Sequence, residues 1–165
     1  MIRSRIVVVV ILAAASFTGC WLGRTAHESN RRNARVVDVI DGDTIHVVDG
    51  GHRETVRLLG VDTPETHDPR KPVQCYGPEA AAYTARRLTG REVELEDDVE
   101  THDKYGRRLS YVYLDGKRYE DDLLEHGYAR LLVISPNGVY GRVMLGEELA
   151  AKRARVGLWG ACGGD

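Results

Sequence analysis

The sequence predicts an α+β fold that is mainly β and forms one domain. Short runs of β-branched and apolar residues, separated by aspartate and glycine, dominate the part of the chain that follows the amino-terminal segment. Helical periodicity of apolar residues appears only later, in segments bounded by proline and glycine. With 165 residues, of which 42% are hydrophobic and 29% charged, the chain has the length and composition of one globular domain plus a targeting segment.

The predicted strands are short and lie close together along the chain. Asp41-Gly42-Asp43 and Asp49-Gly50-Gly51 have turn chemistry, so the first three strands form a β-meander. The stretch 62–77, which holds three prolines, is predicted to be a surface loop. The predicted strands are Val36–Ile40, Ile45–Val48, Val56–Leu59, Val93–Leu95, Leu109–Leu114, Lys117–Tyr119 and Tyr128–Ile134.

Three helices are predicted from apolar spacing and from their end residues. Pro78 opens the first helix and Gly90 ends it. The second is the short segment Asp121–His126, closed by Gly127, and the last is Tyr140–Val156. Strands that close on themselves, interrupted by one helix and followed by others, suit a small Greek-key barrel of the OB type.

The amino terminus has the order of a secretory signal: two arginines, an apolar run, and small residues before Cys20. Gly19-Cys20 resembles the lipobox of bacterial lipoproteins, so lipidation of Cys20 is the first expectation, although Phe17 departs from that pattern. An uncleaved membrane anchor over 6–23 is the second expectation and full release is the third. The predicted organisation is a signal over 1–20, a polar tether over 21–33, the domain over 34–160 and a tail over 161–165.

Cysteine content and charge fit an exported domain. With Cys20 lipidated, Cys75 and Cys162 remain as a pair in an oxidising compartment, which predicts a disulfide; two free buried thiols are the alternative. The formal net charge is −2, and removal of the two leader arginines leaves 21 basic against 25 acidic residues. This sign argues against a general DNA-coating protein, but one cation and a few arginines suffice to hold a phosphate. A monomer is the default expectation.

Four acidic residues flank the predicted turns and loop: Asp41, Asp43, Asp62 and Glu65. Short carboxylates beside tight turns are the oxygen ligands that calcium prefers. The run that starts at Asp41 does not match an EF-hand, because its fifth position is Ile45. A plain turn role for Asp41 and Asp43 is the alternative, and it is the commoner role for such residues in isolation.

Two arginines add the chemistry of phosphate binding. Strand alternation places Arg57 on the face opposite Leu58, so we expect its guanidinium at the barrel mouth or in a cleft, where it can bind a phosphate in a fork. Arg107 lies in a polar turn before the strand that starts at Leu109. Two arginines plus one cation can stabilise the charge that develops in phosphodiester hydrolysis. The alternative for Arg57 is an ordinary exposed strand arginine.

Four motifs occur in a specific order and spacing. They are Val39-Ile-Asp-Gly-Asp-Thr44, Arg57-Leu-Leu-Gly-Val-Asp-Thr-Pro-Glu-Thr66, Tyr76-Gly-Pro-Glu-Ala80 and Asp103-Lys-Tyr-Gly-Arg107. From Ala34 to about Trp159, the chain resembles the staphylococcal nuclease family. The resemblance implies a five-stranded OB-fold barrel with three helices. It also implies a calcium-dependent nuclease for DNA, RNA or both that leaves 5′-hydroxyl and 3′-phosphate ends.

The resemblance further implies a role for each matching position. Glu65 would orient or activate the attacking water, and the two arginines would clamp the phosphate. The implied catalytic residues are Arg57, Glu65 and Arg107, and the implied ligands of one calcium ion are Asp43, Asp62 and the backbone carbonyl of Thr63. Asp41 would support the cation site. The implied substrate contacts are Lys104 and Tyr105, together with Arg70 and Lys71 in the family's mobile basic loop.

One departure from the family concerns base stacking. Where the founding member has two tyrosines after the second helix, this chain has Val133 and Ser135. Stacking of a base on an aromatic ring contributes about 1–3 kcal/mol, so we expect weaker binding of mononucleotides, with Tyr128 or Tyr140 as possible substitutes. A non-catalytic nucleic-acid-binding module and a calcium-stabilised envelope domain are the alternative functions.

Overall fold

The computed structural model describes residues 31–66 and 72–163. The predicted signal with Cys20, most of the predicted tether, and Arg70 and Lys71 lie outside these residues. The strands are β1 Arg31–Asp41, β2 Thr44–Asp49, β3 His52–Leu58, β4 Gly60–Asp62, β5 Glu92–His102, β6 Arg108–Leu114, β7 Lys117–Arg118 and β8 Arg130–Leu132. The helices are α1 Gly77–Leu88, α2 Tyr119–Glu125, α3 Gly141–Ala154 and α4 Leu158–Ala161.

Five strands form a closed barrel. The antiparallel order is β3-β2-β1-β5-β6, and a parallel pairing of β3 with β6 closes it. β7 extends β6 as a short hairpin, while β4 and β8 pair with each other in a separate two-stranded sheet. This arrangement confirms the predicted mainly β fold with a five-stranded barrel and three helices, and the one-turn helix α4 follows them.

Several element ends differ from the prediction. β1 starts at Arg31, three residues before the expected domain start at Ala34. Arg31 is held there by a hydrogen bond from Nε to Glu96 (2.9 Å) and by its position 3.5 Å above the ring of Tyr113. Apolar periodicity does not predict such contacts, because each of them is made by the charged guanidinium of Arg31.

The predicted strand over 128–134 is correct only for Arg130–Leu132. Beyond it the chain is fixed to β5 by side chains: Asn137 exchanges hydrogen bonds with the backbone of Glu100 (2.8 and 2.9 Å), and Asp98 accepts one from Gly138 N (2.8 Å). These bonds replace strand pairing, so Ile134 and its neighbours lie outside the sheet.

Helices α2 and α3 also differ from the prediction at their ends. Tyr119 starts α2 and does not extend the preceding strand. The last predicted helix ends at Ala154, because Arg155 adopts a left-handed conformation with φ of 52°. After Gly157, α4 packs Leu158 and Trp159 against Ala151, Tyr76 and Cys162.

The barrel interior and the faces of α2 and α3 share one hydrophobic core. Fully buried members include Ile45 and Leu95 from the barrel, Leu123 and Leu124 from α2, and Met144 from α3. Among the described residues, no helix has the length and hydrophobicity needed to cross a membrane.

A disulfide joins the segment before α1 to the end of the domain. Cys75 and Cys162 are bonded, with 5.9 Å between their Cα atoms and a sequence separation of 87. It lies beside the cluster of Trp159 and Tyr76, so it ties the last helix to the chain that precedes α1.

Candidate active site

The candidate site lies where the turn between β1 and β2, the end of β3, and β4 come together. Val56 and Leu58 point into the core, so the residue between them, Arg57, is directed out of it. Leu58 N donates to the carbonyl of Asp43 (2.9 Å), which connects β3 to the turn that carries Asp43.

Arg57 is the centre of this arrangement. Its Nη1 donates to the carbonyl oxygens of Leu58 (2.6 Å) and Val61 (2.8 Å). Its Nη2 lies 3.1 Å from Asp62 Oδ1 and 3.2 Å from Asp43 Oδ2. Only 14% of the Arg57 side chain is exposed, so one largely buried guanidinium balances two carboxylates.

Asp43 is fixed by further donors. Its Oδ2 accepts hydrogen bonds from Thr63 N (2.8 Å) and Thr63 Oγ1 (3.1 Å), and its Oδ1 accepts one from Thr44 Oγ1 (3.0 Å). The structure therefore places Thr63 directly beside Asp43. The close approach requires glycine at position 42, since a Cβ there would lie 2.7 Å from the Thr63 side chain.

The turn that carries Asp43 is also supported from behind by two helices. The hydroxyl of Thr84 in α1 donates to the carbonyl of Gly42 (2.7 Å), and the hydroxyl of Tyr119 in α2 donates to Thr84 Oγ1 (3.0 Å). Thr84 is fully buried. The position of Asp43 therefore depends on α1 and α2 as well as on the barrel.

Glu65 follows β4 in the polar segment that leads toward α1. Its backbone is held by Gln74: Glu65 N donates to Gln74 Oε1 (2.9 Å), and Gln74 N donates to the Glu65 carbonyl (3.0 Å). The Glu65 carboxylate accepts a hydrogen bond from Thr66 N (3.0 Å). Asp41 accepts one from Thr66 Oγ1 (2.9 Å), so Asp41 and Glu65 lie close to each other.

Two of these carboxylates, Asp41 and Asp62, have raised pKa values. Burial, followed by the neighbouring Glu65, raises the pKa of Asp41 to about 6. Burial also raises the pKa of Asp62, with Asp43 and Glu65 adding to the effect and Arg57 and Arg130 opposing it. The four acids therefore form one group in which only Asp43 and Asp62 contact Arg57, which leaves an excess of negative charge.

This excess, together with hard oxygen donors, fits a calcium ion. Within residues 31–66 and 72–163, no three His, Cys, Asp or Glu side chains are arranged as a ready metal cluster. Asp43 and Asp62 instead share the Nη2 of Arg57. The donor chemistry thus suits the cation, and the two carboxylates that would hold it are brought to one nitrogen of Arg57.

Arg107 lines the same cleft as Arg57. This cleft has a volume of about 540 Å³, and its polar lining comes from Arg57, Glu100, His102, Asp103, Lys104, Tyr105, Arg107 and Asn137. Tyr105 is 72% exposed, and its ring lies 5.0 Å from Lys104 Nζ and 5.6 Å from Arg107 Cζ. Lys104, Tyr105 and Arg107 therefore form one wall of the cleft, in which Lys104 and Tyr105 are exposed and Arg107 is half-buried.

Asp103 positions Arg107, a role that the sequence did not reveal. Its carboxylate accepts hydrogen bonds from Arg107 Nε (2.7 Å), Arg107 N (2.9 Å) and Tyr105 N (2.9 Å). Burial alone would raise the pKa of Asp103, but the hydrogen bonds from Arg107 and Tyr105 outweigh it and lower the pKa. The i, i+4 spacing of Asp103 and Arg107 around Gly106 was the available sequence indication.

The remaining lining of the cleft is nonpolar. It includes Leu132 and Ile134, which is 66% exposed. The two proposed substitutes for the missing tyrosines do not lie there: Tyr128 stacks on Tyr83 at 4.1 Å, and Tyr140 donates to Glu96 (2.6 Å). Neither ring is among the residues that line the cleft, and their role as substitutes for the stacking tyrosines stays a prediction.

Comparison with known proteins agrees with this fold. Residues 55–161 match the family described as Staphylococcal nuclease homologue. The thermonuclease of Staphylococcus hyicus is 36% identical over 157 residues, 93% of this chain and 93% of that protein. The thermonuclease of Staphylococcus intermedius is 43% identical over 121 residues, 73% and 72% of the two chains. Endonuclease YncB of Bacillus subtilis (strain 168) is 40% identical over 144 residues, 84% and 68% of the two chains. The chain therefore belongs to the family of staphylococcal nuclease homologues.

Proposed function

We propose that this protein is an exported, calcium-dependent nuclease that hydrolyses phosphodiester bonds of DNA, RNA or both and leaves 5′-hydroxyl and 3′-phosphate ends. The observation that carries the proposal is the shared cleft of Arg57 and Arg107, with Asp43 and Asp62 in contact with Arg57. The names of the similar proteins, two thermonucleases and an endonuclease, support the same class of activity.

The two arginines bind the scissile phosphate. A guanidinium presents forked N–H donors that match phosphate oxygens, and such donors become more effective as negative charge develops in the transition state. Arg107 is oriented for this purpose by Asp103, and its side chain is 33% exposed, which leaves it accessible to substrate. Arg57 is more buried and is fixed by backbone carbonyls.

Asp43, Asp62 and the carbonyl of Thr63 would hold the calcium ion. When bound, the ion supplies Lewis-acid polarisation of the phosphoryl oxygens. Glu65 orients the attacking water and accepts its proton, a role for which its fixed backbone at Gln74 is suited. Asp41 supports this region through Thr66.

Further residues contact the substrate outside the reacting group. Lys104 and Tyr105 are on the exposed wall of the cleft and would bind a neighbouring phosphate. We assign Arg70 and Lys71 to the same purpose on the basis of the family resemblance alone, since both lie outside the described residues.

The test is digestion of single-stranded DNA and of RNA with calcium and with chelator. Glu65→Gln and Arg107→Gly should each reduce the rate by about 10²–10³. Arg91→Gln is the matched control, because this exposed arginine pairs with Asp115 away from the cleft. Undiminished cutting by both site variants would contradict the site assignment. No cutting by the parent protein in either nucleic acid would favour the non-catalytic binding module.

The product ends provide a separate test. Products with 5′-hydroxyl ends accept phosphate from polynucleotide kinase without prior dephosphorylation, and 3′-phosphate ends block extension by a polymerase. The reverse pattern would show that the bond on the other side of the phosphate is cut. This result would leave nuclease activity in place and overturn only the proposed end chemistry.

We further propose that the protein acts outside the cytoplasm as a lipid-tethered or secreted monomer. The basis is the order of charged, apolar and small residues before Cys20. Mass spectrometry of the mature amino-terminal peptide distinguishes the cases: a lipidated Cys20, an intact leader, or a shortened unmodified chain. Sedimentation of the purified domain reports whether it is a monomer.

A further inference from the structure

We propose that Arg130 is a further phosphate-binding residue, which holds the substrate backbone next to the phosphate that is cut. This inference rests on the proposed nuclease function and extends it. Arg130 belongs to none of the motifs that indicated the site, and it lies in the short strand β8.

Strand register brings Arg130 to the site. In the antiparallel pair of β4 and β8, Arg130 is directly opposite Asp62. Side chains of directly opposed residues lie on the same face of a sheet, about 5 Å apart at Cβ. The positive charge of Arg130 acts on the Asp62 carboxylate accordingly. Asp62 in turn contacts Arg57, which shares its cleft with Arg107. Through Asp62, Arg130 therefore adjoins the cleft that Arg57 and Arg107 line, without lining it itself.

The contact of Arg130 with Trp159 leaves the N–H donors of its guanidinium available to a ligand. Its guanidinium carbon lies 4.7 Å from the ring centre of Trp159, whose side chain is almost entirely buried. A cation–π contact uses the flat face of the guanidinium and leaves the N–H groups at its edge. Arg130 is exposed, and within the described part of the chain no carboxylate lies within 4.0 Å of it.

Arg57 and Arg107 differ from Arg130 in this respect. Each of them has at least one carboxylate partner at 3.2 Å or less. Arg130 is oriented by an indole and has no such partner among the described residues, so it can donate a fork to an incoming anion without breaking an existing ion pair. Because acids dominate the centre of the site, a phosphate that flanks the reacting one needs a cation of this kind.

A simpler explanation is that Arg130 only offsets the charge of Asp62. The two explanations differ in their dependence on substrate length. A flanking contact acts only on a substrate that has a second phosphate, whereas an effect through Asp62 changes calcium affinity and applies to every substrate.

The experiment therefore compares a dinucleotide, which has one phosphate, with a single-stranded oligonucleotide of about 12 nucleotides. Arg130→Gln should raise KM for the oligonucleotide about tenfold and leave both kcat and KM for the dinucleotide unchanged. Arg130→Lys keeps the charge and loses the forked pair of donors. Its KM for the oligonucleotide should therefore lie between those of the parent and Arg130→Gln. Arg86→Gln is the matched control, since Arg86 is also exposed and lies 5.9 Å above a tyrosine ring, on α1.

Binding measured in chelator gives a readout that does not depend on turnover. Loss of one phosphate contact should reduce the slope of log affinity against log salt by about 0.7 for a single strand. Equal changes for both substrates, or an altered calcium affinity with an unchanged salt slope, would overturn the assignment in favour of charge balance. Values equal to those of Arg86→Gln would overturn it as well. If the parent cuts neither substrate, the proposed function fails, and the salt slope alone decides the role of Arg130.

Discussion

At the scale of single residues, Arg57 makes contacts that a lysine cannot reproduce. Two backbone carbonyls and two carboxylates surround its two terminal nitrogens at 2.6–3.2 Å. A lysine ammonium is a single point and cannot reach all four acceptors. We expect Arg57→Lys to lower the turnover rate on single-stranded DNA by about 10²–10³ at saturating calcium. The measurement is the initial rate of acid-soluble product.

The same substitution should reduce stability most when calcium is absent. Asp43 would then lack its arginine partner, which costs about 1–3 kcal/mol for a buried acceptor. Arg53→Lys, four positions away on the same strand face and 58% exposed, is the control. Equal rates and equal urea midpoints for the two variants would show that the fork of Arg57 has no special role.

Residue type and motif spacing identified the charged groups of the candidate site, but not their supports. Asp103 and Arg130 remained unassigned because their roles depend on neighbours that only the fold supplies: a turn closed around Gly106 for Asp103, and a strand pairing with Asp62 together with Trp159 for Arg130. A single sequence contains no direct record of such pairings.

At the scale of elements, the packing of α2 on α3 buries an acid that favours its neutral form. Burial, followed by the neighbouring Asp121, raises the pKa of Glu147 to about 7. One oxygen of this carboxylate is buried and has no hydrogen-bond partner among the described residues. Because the folded pKa is above the unfolded value, the folded state binds more protons, and stability should fall as pH rises from about 4.5 through 7.

We therefore expect Glu147→Gln to stabilise the protein above pH 7 by about 1 kcal/mol, after allowance for partial exposure, and to leave it little changed at pH 4. Thermal unfolding at both pH values measures the difference. Glu92→Gln, an exposed change on β5, controls for net charge. An equal gain at both pH values would show that the effect is not due to ionisation of Glu147.

The hydroxyl of Thr84 in α1 links this helix and α2 to the turn that carries Asp43. Thr84→Val keeps the side-chain volume but removes the hydroxyl that joins Gly42 and Tyr119. Two buried polar groups would lose a partner, so we expect a loss of about 1–3 kcal/mol in unfolding free energy and weaker calcium binding. Calorimetry of calcium binding measures the second effect. Thr89→Val, at the exposed end of α1, should change neither quantity.

Apolar periodicity predicted the middle of each element better than its ends. The predicted strand Val36–Ile40 is the central part of β1, and the additional residues from Arg31 are held by charged and aromatic contacts with β5 and β6. The predicted strand 128–134 was too long, since Asn137 and Asp98 pair the following loop with β5 through side chains. Hydropathy does not encode either kind of contact.

At the scale of the whole molecule, the candidate site depends on closure of the barrel. The pairing of β3 with β6 places Arg57 opposite Leu109, two residues after Arg107, although these segments are distant in sequence. Strand patterns suggested a closed barrel, and the family resemblance implied its five strands. The parallel contact that closes it was beyond reach of local patterns, because it joins strands with no turn between them.

The disulfide connects the end of α4 to the segment that holds the backbone of Glu65. Cys75 follows Gln74, which fixes the backbone of Glu65 through two hydrogen bonds, and Cys162 anchors the cluster of Trp159. Closing a loop over a separation of 87 residues restricts the unfolded chain by about 4–5 kcal/mol on the chain-entropy model. The paired change Cys75→Ala with Cys162→Ala should therefore lower unfolding free energy by up to that amount.

The nuclease activity of this double variant should also fall under conditions in which the variant is still folded. The reason is that Gln74 would no longer be held in place beside Glu65. The test compares the DNA digestion rates of the variant and the parent at a temperature 20 °C below the unfolding midpoint of the variant. Circular dichroism at the same temperature checks that the variant is folded. A stability loss without any change in rate would show that the disulfide stabilises the fold and plays no part in positioning Glu65. A loss in rate that high calcium restores would instead locate the effect in the cation site, since Asp41 and Glu65 are both linked to Thr66.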